Sequence, residues 1–66
     1  MAGEPTPEQI GRSHALQRLA ECADTLATAR EEQTAADPDD AAFLAAYAAT
    51  CRSIADKLRK APGARL

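Results

Sequence analysis

The residues able to do chemistry are few and scattered. Cys22, Cys51 and the single histidine, His14, are the groups that could ligate a metal or attack a substrate. No two of them lie at the short spacing of a local metal site, and no nucleophile has a base at a spacing that would activate it. Asp37, Asp39 and Asp40 in "DPDD" suggest a calcium loop, but the later glycine and distal glutamate of such loops are missing. Gly3, Gly11 and Gly63 are scattered, so they form no phosphate-cradling loop. The expectation is a protein that is not an enzyme and uses no metal or cofactor.

Two weaker chemistries remain. Cys22 and Cys51 fall close to one register across a hairpin, where a disulfide would close a long loop and add about 3 kcal/mol. The other reading is two free thiols buried in alanine-sized slots, which suits a chain without an export signal. Arg52, Lys57, Arg59 and Lys60 form a basic cluster that could touch nucleic acid or an acidic partner. No aromatic stacking platform and no helix-turn-helix pattern accompanies it, and a basic helix end also suits the helix dipole.

The elements that must position these residues are two helices. Thr6 reads as an N-cap, Pro7 as the first helical residue and Gln9 as the other half of a capping box. From there Leu16, Leu19, Ala23 and Leu26 keep 3-4-3 spacing, flanked by Ala20 and Ala27 on one side and by Ala15, Cys22 and Ala29 on the other. A second start follows at Asp37-Pro38, with Asp39 and Asp40 in the first turn, where carboxylates face free N–H groups. Leu44, Tyr47, Cys51, Ile54, Leu58 and Ala61 then continue at 3-4-3-4-3 until Pro62-Gly63 stops the helix. The expected fold is all-α, an antiparallel two-helix hairpin with helices at about 7–34 and 38–61. It forms one small domain, with flexible tails at 1–5 and 62–66. Pairing outward from the turn sets Leu26 near Leu44, Ala23 near Tyr47 or Ala48, Leu19 near Cys51, and Leu16 near Ile54 or Ala55.

Composition bounds what this hairpin can do alone. Of the thirty hydrophobic residues seventeen are alanine and none is valine, so a broad core is out of reach. Alanine instead favours helix and lets two helices approach closely. A chain of 66 residues buries only about 60% of its unfolded surface, and a hairpin rarely stays folded on that alone. A partner is therefore expected. Ala42, Ala46, Ala49 and Ser53 form a second stripe without charge, and Phe43 projects beside the Tyr47 seam. These six residues are the expected oligomer interface, in a dimer forming a four-helix bundle or a higher ring.

Charge is segregated along the chain. Residues 21–40 hold seven acids against Arg30, and residues 52–66 hold five bases against Asp56, although the net charge is only −2. The folded rod is expected to carry an acidic tip at the turn and a basic open end, so that two rods could pair tip to base. There is no signal-peptide pattern and no apolar run long enough to span a membrane, so a cytoplasmic location is expected.

From about residue 14 to 62, the long Ala/Leu first helix followed by "DPDDAAFLAAYAATCRSIADKLRKAPG" resembles the helical hairpin of small terminase-type proteins of actinobacterial phages and prophages. That resemblance implies hairpins assembled into rings that help present DNA to a packaging motor. It carries no catalytic residue onto this sequence. Within these 66 residues a separate N-terminal DNA-binding domain of the kind the resemblance would imply is not expected. The expected function is that of a self-associating assembly or adaptor protein. The alternatives are a dimeric nucleic-acid-binding regulator of the Rop type and an inhibitor docking Asp37, Asp39 and Asp40 on a basic surface.

Overall fold

Helix α1 runs Pro7–Glu32 and helix α2 runs Pro38–Lys60 in the computed structural model, which describes residues 3–65. The capping box at the start of α1 is complete. The Thr6 hydroxyl accepts from the Gln9 N–H at 3.2 Å, and the Gln9 side chain accepts from the Thr6 N–H at 2.8 Å. At the second start the Asp37 carboxylate accepts from the Asp40 N–H at 2.7 Å, and Asp40 in turn accepts from the Ala36 N–H at 2.9 Å. Asp37 and Asp40 therefore serve helix initiation. Helix α2 ends where Ala61 turns extended, as the residue before a proline prefers.

The helices pack antiparallel, but in a different register from the one expected. Ala23 joins Ala20 and Ala55 in one buried cluster, with Leu58 packed against it. Arg30 stacks on Tyr47, and Ser13 bonds to Ala64. Each α1 residue thus meets α2 about two helical turns later than symmetric pairing from the turn would place it. The connection is the cause. Gln33 and Asp37 are both extended, so the link climbs beside α2 instead of reversing tightly. Ala35 consequently lines the same depression as Ala41, Leu44 and Ala45, covering the first turns of α2 that overhang the end of α1.

The seam also differs in its members. Buried on α1 are Ser13, Ala20, Ala23 and Ala27, and on α2 Leu44, Ala48 and Ala55. Leu19, Leu26 and Ile54, expected at the centre, remain 55%, 44% and 47% exposed. Small residues occupy the line of closest approach, and the larger ones are displaced to its edges. Each buried methyl contributes about 0.8 kcal/mol, against roughly 1.5–3 kcal/mol for a buried leucine, so this seam is close but energetically thin.

The tail expected to fray at 62–65 is folded back instead. Ala64 is buried, and its carbonyl accepts from Ser13 Oγ and from Gln17 Nε2, both at 3.0 Å. Gly63 makes the turn possible at φ 89°, and an added Cβ would lie 3.1 Å from Cδ of Arg12. Met1, Ala2 and Leu66, the outermost parts of the expected tails, lie outside the described residues.

Leucine at Ala27 or Ala55, both 0% exposed, must force the helices apart. Either substitution is expected to cost about 1–3 kcal/mol in urea denaturation. Leucine at exposed Ala49 should leave the midpoint nearly unchanged.

Candidate interaction face

Successive positions on a helix fall on either edge of the seam according to their spacing, and the two edges of this hairpin have opposite character. Asp24, Thr28 and Glu31 line one edge of α1; Arg52 and Arg59 line the matching edge of α2. They form a network. Arg52 Nε and Nη2 donate to the two Glu31 carboxylate oxygens at 3.2 and 2.5 Å. Its Nη1 reaches Asp24 at 3.4 Å and Nη2 reaches Thr28 Oγ1 at 3.3 Å. Arg59 donates to the other Asp24 oxygen.

These contacts set the protonation behaviour. Hydrogen bonding from Arg59 holds the Asp24 carboxyl below its usual range, helped by the charges of Arg59 and Arg52. Arg52 does the same to Glu31, and Glu31 raises Arg52 in return. The basic cluster is therefore largely engaged within the chain. Arg52 and Arg59 bind α1, and Lys60 pairs with Asp56 at 3.0 Å. Lys57 has no ion-pair partner among the described residues.

The other edge is apolar. Leu19, Cys22 and Leu26 line it on α1; Phe43, Tyr47, Thr50 and Ile54 line it on α2. Phe43 is 59% exposed, the most exposed of the large apolar side chains among the described residues. Its ring stands 5.9 Å from that of Tyr47 at 51°, a tilted pair. The Arg30 guanidinium lies 4.8 Å from the Tyr47 ring centre, which holds the tyrosine against the end of α1. Phe43, Ala46, Tyr47, Thr50 and Cys51 line an open groove of about 350 Å³.

This face overlaps the expected interface only in part. Phe43, Ala46 and Tyr47 belong to the groove, whereas Ala42, Ala49 and Ser53 run along the outside of α2, away from α1, and are exposed there. Leu19, Leu26 and Ile54 complete the face, and their size had assigned them to the seam. The signal that could have found them is the parallel series Ser13, Leu16, Ala20, Ala23, Ala27, which has the same spacing with smaller side chains.

The thiols do not meet. Cys22 is exposed and Cys51 half-buried, and both are free, so neither the disulfide nor a pair of buried thiols forms. His14 is exposed. Among the described residues no group of three His, Cys, Asp or Glu is gathered as a metal ion would need, and no helix is long and apolar enough to cross a membrane.

Comparison with known proteins finds no matching family model, no matching curated protein and no matching solved structure.

Because Asp24 and Glu31 are depressed in the folded chain, the stability they confer is present above the ordinary carboxylate pKa and lost as pH falls through their folded values. Thermal unfolding followed by circular dichroism should therefore show a midpoint that drops between about pH 5 and about pH 2. The Asp24→Asn/Glu31→Gln variant should show a smaller drop over the same interval.

Proposed function

We propose that this chain is a non-catalytic, self-associating helical hairpin that works in the cytoplasm as an assembly or adaptor module, its apolar edge covered by another copy of itself. The observation that carries the reading is the segregation of the two edges. Leu19, Leu26, Phe43 and Ile54 are all exposed on one side, while the other is closed by the Arg52–Glu31–Asp24–Arg59 network. The dimensions support it. The rod measures 58 × 14 × 12 Å with a radius of gyration of 16.0 Å, against about 11 Å for a compact domain of this length. Its accessible surface of 5022 Å² compares with about 4,000 Å² for a compact monomer of this mass. The excess is close to the roughly 800 Å² that each partner buries in an interface of standard size. Two free cysteines fit a reducing compartment.

A four-helix bundle of two hairpins is the smallest closed form, and a ring, which the terminase-like resemblance implies, is a larger one. The nucleic-acid reading has less support, because Arg52, Arg59 and Lys60 already have carboxylate partners.

Light scattering behind size-exclusion chromatography tests the proposal over a range of concentrations, with and without reductant. A defined oligomer that ignores reductant is expected. Phe43→Asp and Leu26→Asp should convert it to monomer, and Ala49→Asp, on the outer face of α2, should not. A wild-type chain that stays a folded monomer at high concentration would overturn the reading.

A further inference from the structure

Resting on the self-association reading, we infer that the second copy docks antiparallel, with the α2 edges of two hairpins face to face and Asp39 of each against Lys57 of the other. Asp39, Phe43, Tyr47, Thr50, Ile54 and Lys57 follow one another at intervals of three or four residues. They form a single stripe with an acid at one end, a base at the other and the apolar groups between. Turned end for end, the stripe is its own complement. Lys57 then meets Asp39, Ile54 meets Phe43, and Thr50 meets Tyr47. A two-fold axis crossing α2 near Ala48 generates every one of these contacts twice, as an isologous interface requires. A parallel arrangement would instead set Asp39 on Asp39 and Lys57 on Lys57.

Two observations independent of the apolar pattern agree. Neither Asp39 nor Lys57 has an ion-pair partner among the described residues, whereas Arg18, Arg52, Arg59 and Lys60 each have one. Asp39 and Lys57 are thus among the charges left unpaired within the hairpin, and they are the two that bracket the apolar stripe. The groove beside Phe43 and Tyr47, at about 350 Å³, has room for an apolar side chain such as the Ile54 that this pairing would deliver. On the α1 side Leu26 borders the same stripe and would close the flank of the resulting four-helix bundle.

Charge reversal tests the arrangement. Dimer dissociation constants are measured by sedimentation equilibrium for wild type, Asp39→Lys, Lys57→Asp and the variant carrying both, with circular dichroism confirming that each is helical. Each single reversal should weaken the dimer about tenfold at low salt, because two pairs turn repulsive at once, and the double reversal should restore it. High salt should shrink these differences. Both single changes place a charge unfavourably at a helix end, and that cost would add in the double variant. Restoration can therefore come only from the pair. A wild-type dimer whose affinity the single reversals leave unchanged, or which the double reversal fails to restore, would overturn the antiparallel arrangement and leave self-association standing. A wild type that never dimerises would overturn the reading on which it rests.

Discussion

The close approach of two alanine-lined helices is the constraint on which the rest of this molecule depends. Ala20, Ala23 and Ala27 lie on α1, and Ala48 and Ala55 on α2, leaving no space between the backbones for a leucine. Every large side chain of the middle of the rod must then go to an edge or to the outside. Amphipathicity in this hairpin is consequently a property of the pair of helices more than of either one. One edge collects Leu19, Leu26, Ile54 and the two aromatics, and the other collects the charges that bridge the seam.

A seam of methyl groups is nearly featureless along its length, so packing alone would tolerate sliding by a heptad. Features at the edges and ends fix the register. Asp24 and Glu31 are seven residues apart on α1, and Arg52 and Arg59 are seven apart on α2, so the two pairs engage together at one alignment. At the open end the hydroxyl of the buried Ser13 finds an acceptor because the turn at Gly63 brings the Ala64 carbonyl to it, and the Gln17 amide joins both. Exposed ion pairs contribute little energy singly. Here their weight lies in choosing among alignments that the alanines leave almost degenerate.

That division explains what the sequence disclosed and what it hid. Helix ends are written in local chemistry, and Thr6 with Gln9, Asp37 with Pro38, and Pro62 with Gly63 mark them within two residues. Two helices joined by a short link leave an antiparallel hairpin as the natural fold, and that too was legible. The register was not, because reading it outward from the turn assumes a tight reversal, and the link is extended at both its ends, Gln33 and Asp37. The face was legible only in part. Periodicity weighted by size assigns Leu19 and Leu26 to the seam, when a seam this close selects for the smallest side chains. Phe43 is legible as a surface residue because its position falls beside the Tyr47 seam and not within it. The matched seven-residue spacing of acids and arginines was present in the sequence and would have given the register.

Seam and face divide the work of geometry and energy. An alanine seam orients two helices well and stabilises them weakly, since the area it removes from water is small. The larger apolar area sits at the edge, where it contributes only when something covers it. In a chain built this way, the proposed association would add the burial that a larger domain completes by folding, and occupancy of the face and the folded population would then rise together by mass action. The polar edge limits where that association can occur. With Arg52 and Arg59 held by Asp24 and Glu31, a copy approaching from that side would have to break charge-assisted contacts before burying anything, whereas the opposite edge offers apolar surface without that penalty. In the proposed assembly, the ion-pair network that aligns the two helices would thereby also direct a second copy to the side where Phe43 and Tyr47 stand.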